Sequence, residues 1–199
     1  MFGWFASAHH GKPVRTQLDR ARSIEIARCI DGERQRITGV AEGAAPLVSP
    51  ITGRPCMFWM VTIDEVGHGD WVERGVADQG VSFFLRDSSG IARVVPTGAR
   101  CDLATQSSTF DSTASLEPGA RELFQQLKIK LNYPQWSRVR FNERIITAGA
   151  RISVLGHNQH EPMQLASATD VDAAGYRGDL PMRPVFSSSR RNPLLIGTA

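Results

Sequence analysis

The sequence predicts a mainly β protein: a small barrel carrying one amphipathic helix at about residues 118–131 and a short helix near the N-terminus. Three observations predict it. Met57, Trp59, Val61 and Ile63 share one face of an extended segment, and Phe58 and Met60 add apolar surface on the other. Val81, Phe83 and Leu85 alternate, and Asp87-Ser88-Ser89-Gly90 is turn chemistry joining them to a second run, Ile91–Val95. One convincing helical stripe stands among these runs: Ala120, Leu123, Phe124, Leu127 and Leu131. Many strands with a single late helix pack economically as an OB-like barrel, because closure hides strand edges and the helix plugs an open end. A two-layer sandwich is the alternative.

The elements follow in chain order. Residues 1–14 read as a flexible leader, with His9, His10, Gly11 and Pro13. Leu18, Arg22, Ile26 and Cys29 lie at helical spacing within 15–30, although Ile24, Ile26 and Ile30 are β-branched. Asp31-Gly32 is a turn, Ile37–Ala41 a strand, and Glu42–Pro55 a Pro/Gly-rich linker into the Met57–Ile63 strand. Gly67–Asp70 is a loop holding His68, and Trp71 starts a short strand. Pro96 and Gly98 end the hairpin, and the Ser/Thr-rich residues 102–115 read as an exposed loop. Pro118 suits the first helical position, and Asn132 and Pro134 stop the helix. Val139 and Phe141, then Ile152 and Val154, mark two further strands, the second ending at Gly156. Residues 157–199 form a polar extension to the motif-bearing core 35–156, with weak strands near Pro184–Phe186 and Leu194–Ile196.

Composition narrows the function classes. The chain has 199 residues, 41% hydrophobic and 22% charged, so it can bury a core. No apolar run reaches the length of a membrane-spanning helix. Cys29, Cys56 and Cys101 are far apart and form no C-x-x-C pair, which excludes a zinc ribbon, a RING finger and a disulfide framework within this chain. Net charge is +3, and the arginines are spread rather than clustered, so composition alone does not argue for nucleic acid. Free cysteines and the lack of a signal-peptide pattern imply a reducing, cytoplasmic setting. Met1, Phe2, Trp4 and Phe5 offer a weak foothold on a membrane surface.

Pro46–Cys56 is the most unusual stretch. Pro50 and Pro55 bias their predecessors to extended backbone, and Gly53 permits a left-handed turn, so a stiff bend delivers the chain into a buried strand. Gly39, Leu47, Ser49, Pro50, Gly53, Pro55, Cys56 and Glu65 follow the order strand with Gly, Leu-x-Ser-Pro-x-x-Gly-x-Pro-Cys, strand with a terminal acid. Phe83, Leu85, Asp87 and Gly90 then make Phe-x-Leu-x-Asp-x-x-Gly. Pro96 and Gly98 make Pro-x-Gly, and Glu143, Gly149 and Gly156 close the set. Over about residues 35–156 this arrangement resembles the GIDE or "beside a membrane" domain, a family that includes the mitochondrial membrane-anchored RING-type ubiquitin ligase. Those ligases carry flanking membrane spans and a RING, and this sequence holds neither. The resemblance therefore implies the non-catalytic module, which recognises a protein partner near a membrane; an accessory role in ubiquitin transfer would need a RING from another chain. It implies no catalytic residue and no cofactor.

Glu143 lies on the apolar phase of its strand and needs a partner there, for which an arginine is expected. His157 and His160, three apart, lack the further ligands that zinc requires, so no metal site is expected. Ser49, Ser88 and Ser89 have no nucleophile-elbow context, and no glycine-rich phosphate loop occurs. Cys56 sits among Met57, Phe58 and Trp59, where burial disfavours a thiolate. Phe84, Arg86, Arg93 and Trp71 are the candidate surface-binding set, because aromatic and basic side chains on an OB-like face suit single-stranded nucleic acid, the second partner class after protein.

Overall fold

The computed structural model describes residues 13–67, 70–131, 138–163, 181–189 and 192–199. The first elements are α1 (Val14–Arg20), β1 (Ser23–Ile24) and β2 (Arg34–Glu42), followed by β3 (Leu47–Val48), β4 (Pro55–Cys56), β5 (Phe58–Gly67) and β6 (Asp70–Gly80). The hairpin is β7 (Phe83–Arg86) and β8 (Ile91–Val95), after which come β9 (Arg100–Asp102), β10 (Gln106–Phe110) and α2 (Pro118–Gln126). The chain ends with β11 (Val139–Ile146), β12 (Arg151–Pro162), β13 (Met182–Ser187) and β14 (Leu195–Thr198).

Five strands close a mixed barrel in the order β2-β7-β8-β13-β12, with β12 returning to β2. Neighbours are antiparallel except β8 and β13, which run parallel. In chain order this is first, second, third, fifth, fourth and back to first, the connectivity of an OB-type barrel. Period-2 alternation fills it. Ile37, Ala41, Phe83, Leu85, Ala92, Val94, Ile152, Val154 and Phe186 point inward and are buried. Two glycines allow close approaches on the barrel strands. At Gly39 a Cβ would lie 2.4 Å from the Arg86 carbonyl oxygen, and at Gly156 it would lie 2.5 Å from the Leu194 side chain.

Two insertions into the barrel build a second layer. Residues between β2 and β7 supply β5 and β6, and residues between β8 and β12 supply β10, α2 and β11. Together they form a four-stranded sheet ordered β10-β11-β5-β6. Trp59, Val61, Ile63, Val139 and Phe141 pack on Ala120 and Leu123 of α2. Phe58 and Ile146, on the same two strands, belong to the barrel core instead. Thus β5 and β11 carry both cores and tie the layers together. At the far side Leu18 of α1 packs on Leu155 and Leu195. Nη1 of Arg36 donates to the Leu18 carbonyl (2.6 Å) and the Ala21 carbonyl (3.3 Å), adding a side-chain donor to the C-terminal end of α1.

Several expectations are corrected. The helix expected over 15–30 stops at Arg20; a short strand and a 3-10 turn, Ile26–Arg28, follow, as the β-branched isoleucines favour. α2 stops at Gln126 rather than 131, because Lys128 takes a left-handed backbone (φ 48°). Ile129 then packs over Gly75 of β6, where a Cβ would approach it to 2.9 Å. α2 covers the second sheet instead of plugging the barrel, since its apolar stripe meets Trp59 and Phe141. The strand begun at Trp71 is long, not short, and spans 11 residues. Within 102–115, Gln106–Phe110 is an edge strand on β11 and Thr113–Ser115 a 3-10 turn. Pro55–Cys56 pairs with Leu47–Val48, so the linker is a structured turn. β12 runs past Gly156 to Pro162, and residues 182–187 form a full barrel strand. His9, His10, His68, Asn132 and Pro134 lie outside the described residues, as do most of the leader and part of the C-terminal extension.

The glycine contacts separate two costs. Gly39→Ala forces its methyl into the β2–β7 pair and is expected to destabilise by about 1–3 kcal/mol. Gly149→Ala meets nothing within 4 Å and bears only left-handed strain (φ 83°), about 1 kcal/mol. Urea unfolding of both variants checks the order; equal losses would contradict the close approach at Gly39.

Candidate functional site

The outer surface of β7, β8 and β13 follows from the same alternation that fills the barrel. With Phe83 and Leu85 inside, Phe84 and Arg86 point out; with Ala92 and Val94 inside, Arg93 points out, directly across from Phe84. Arg183 on β13 faces Glu161 on β12. Arg93 donates to Glu161 through Nε (2.8 Å) and Nη2 (2.5 Å), and Arg183 donates to it through Nε (2.8 Å). The bonds from Arg93 hold the Glu161 carboxyl below its ordinary range; burial opposes them, and the bond from Arg183 and the charge of both arginines add to the lowering. The Arg183 guanidinium lies 4.9 Å from the Phe84 ring centre. Arg86 donates Nε to both carboxylate oxygens of Glu42, at 2.9 and 2.8 Å. Half-exposed pairs of this kind contribute under about 1 kcal/mol each, so their effect is to orient the arginines.

Three of the four candidate surface residues therefore come together: Phe84, Arg86 and Arg93. Trp71 does not join them. It lies on β6 in the other sheet, beneath the Arg140 guanidinium at 4.3 Å. Arg140 and Asn142 both donate to Asp64 there, each at 2.7 Å. Glu42, Glu161 and Arg183 were missed. Glu161 and Arg183 fall in the polar extension, and only the alternation of Arg183 and Val185 with Pro184 and Phe186 signals a strand.

The Pro46–Cys56 turn is held from within the protein. Glu143, buried on β11, accepts the amides of Ile51 (3.0 Å) and Thr52 (3.2 Å) and the Thr52 hydroxyl. The partner is thus a pair of loop amides plus a hydroxyl, not the expected arginine, because the turn presents unpaired N–H groups to the strand. Ser49 accepts the Arg54 amide at 3.1 Å and shares a 2.7 Å bond with Thr52. Gly53 turns at φ 66°. Pro50 packs so closely on α2 that a Cβ at Gly119 would fall 2.0 Å from its carbonyl oxygen. Leu47 and Cys56 flank the same core, while Pro55 is exposed.

The remaining motif residues also sit in structural contacts. Glu65 is buried and pairs with Arg74 at 2.8 Å. Asp87 accepts the amides of Ser89 and Gly90 within its turn and the Ile26 amide at 2.9 Å from outside it. Burial opposes the Asp87 charge, but these bonds and the Ser89 hydroxyl outweigh it and lower the pKa. The Ala99 amide donates to the Pro96 carbonyl across Gly98, and the Gly149 amide donates to the Ala41 carbonyl.

Burial pushes the Cys56 thiol up to about 11, helped by the Glu143 charge and opposed by Arg54. It raises Cys29 to about 11 as well, and Cys101 higher still. Thiols of that kind are poor nucleophiles at neutral pH. His157 and His160 stand three apart on a strand, so they point to opposite faces. Among the described residues no group of three or more His, Cys, Asp or Glu converges as metal ligands, and no helix is long and apolar enough to cross a membrane.

Comparison with protein-family models, with curated proteins and with solved structures found no match to this chain.

Two substitutions test the electrostatics of the scaffold. Glu143→Ala leaves the part-buried Ile51 and Thr52 amides without their acceptor and is expected to cost about 2 kcal/mol, with Glu143→Gln, which keeps one acceptor oxygen, losing less. Urea unfolding that gives wild-type stability for Glu143→Ala would refute the anchoring role. Asp78, buried on β6, has its pKa raised by desolvation, which outweighs a backbone hydrogen bond from Gly98. The folded state thus holds this proton more tightly than the unfolded chain, so its contribution to stability falls as pH rises through and above the ordinary carboxylate range. Asp78→Asn should raise Tm at neutral pH, with the gain shrinking as the solution is acidified; a gain that grows on acidification would reverse the sign.

Proposed function

We propose that this chain is a non-catalytic OB-type interaction module that binds a protein partner through the outer face of β7, β8 and β13. The observation that carries the reading is the compensated arginine set around Phe84. Arg86 is matched by Glu42, and Arg93 and Arg183 share Glu161. Binding to a nucleic-acid strand draws its free energy from cations that replace counterions on phosphates. On this face the cations already have carboxylate partners, and Phe84 already has a guanidinium against its ring, which leaves less for phosphate and base stacking. Ordered arginines beside an aromatic ring and mixed charge suit a protein surface. The resemblance to the GIDE domain agrees with this reading and adds that the partner lies beside a membrane. Its motif residues hold turns and strand contacts, which leaves the outer face available for recognition.

The test places a benzophenone photo-crosslinking residue at Phe84 and, as control, at Arg121 on α2. The expected result is a discrete protein adduct from Phe84 alone, weakened when Arg183 is changed to Ala. Equal adducts from both positions would refute the assignment of the face. Anisotropy with labelled single-stranded DNA and RNA is expected to show no salt-sensitive binding. Tight low-salt binding that Phe84→Ala and Arg86→Ala weaken would replace the protein reading with the nucleic-acid one.

A further inference from the structure

The barrel seam between β8 and β13 is short. Their ladder covers only Arg93–Val95 and Val185–Ser187. Ahead of it, Ile91 of β8, Met182 and Pro184 of β13 and Ile26 and Ala27 of the 3-10 turn border a common space. The resulting cavity measures about 350 Å³, within the lower part of the range of small-ligand pockets, roughly 300–1,000 Å³. Ile26, Ile91, Met163 and Met182 supply apolar wall, and Arg86 and Arg183 supply charge.

The placement of charge around this cavity is asymmetric. Glu42 and Glu161, the acids that partner the two arginines, do not line it. Each arginine reaches its acid through Nε. Among the described residues the terminal Nη nitrogens of Arg86 and Arg183 have no hydrogen-bond partner. Arg86 and Arg183 thus bring guanidinium charge, partly offset by those acids, to the border of a pocket whose remaining wall is largely apolar. Cys29, His160, Met163 and Met182 also line it and are soft ligand types. The adjacent guanidinium charges oppose a cation, so these side chains act as wall. Inorganic phosphate would satisfy the arginines and leave the methionines and isoleucines wet.

We propose that this cavity binds a small organic acid, a carboxylate carried on an apolar chain or ring. The carboxylate meets the Nη groups of Arg86 and Arg183, a geometry that guanidinium donors favour. The apolar body lies between the methionines and the two isoleucines, where burial supplies the larger share of affinity. The cavity shares Arg86 and Arg183 with the outer face proposed above, but its occupant is a small acid, and the test below reads that ligand directly with no partner protein present.

Calorimetric titration of the full chain with octanoate, octanol and octylamine tests it, all kept below their aggregation limits. Octanoate is expected to bind saturably, with octanol weaker by about tenfold or more, as loss of hydrogen bonds to charged donors predicts. Arg86→Gln, at a largely exposed side chain, should weaken octanoate and leave octanol unchanged. Met163→Trp, which fills the cavity without altering charge, should abolish binding of both, with near-ultraviolet circular dichroism confirming the fold of each variant. Absence of saturable octanoate binding, equal affinity for octanoate and octanol, tighter octylamine binding, or octanoate binding untouched by Met163→Trp would each overturn the proposal.

Discussion

β12 is the constraint on which the architecture depends. One of its edges pairs with β2 from Arg151 to His157. The other pairs first with β14, at Ile152–Leu155, and then with β13, at Asn158–Pro162. Barrel closure and attachment of the C-terminal strand therefore meet on one segment. Gly156 lies where the second edge changes partner, and a side chain there would strike Leu194. Branched side chains fit inside where Gly39 stands across from Ile152 and where Ala41 and Ala92 flank Leu85.

The strands β5 and β11 tie the second layer to this barrel by carrying both cores, and two carboxylates fix the turns around them. Glu143 reaches across to the turn before β5, and that turn in turn packs on the start of α2. Asp87 links the hairpin turn to the 3-10 segment by accepting the Ile26 amide. Both carboxylates act on backbone N–H groups that would otherwise be unpaired, and such groups are costly to bury. A buried acid need not imply catalysis or an ion pair when a turn presents its amides to it.

The same accounting explains why the barrel exterior and its seam differ in chemistry. On the exterior, arginine charge is matched by Glu42 and Glu161, and the surface is ordered without being strongly basic. At the seam, two of those arginines, Arg86 and Arg183, border apolar side chains. A single arginine can thus meet a carboxylate through Nε and still border a second environment, because the guanidinium group is planar and forked.

By itself the sequence determined the elements whose signals are local. Alternation with turn chemistry defined the β7–β8 hairpin, and with it the common exposure of Phe84, Arg86 and Arg93; period and a leading proline located α2. Tertiary structure decided what depends on partners far along the chain. Gln106–Phe110 and His157–Pro162 are strands because neighbouring backbones pair with them, and polar strands of that kind carry no hydrophobic period to read. The partner of Glu143 lies more than ninety residues away in a turn, and Trp71 was placed in another sheet from Phe84 by pairing register. Residue types near one another in the sequence set which way side chains face. Which faces meet is set by closure of the barrel, a condition on the whole chain that no local window contains.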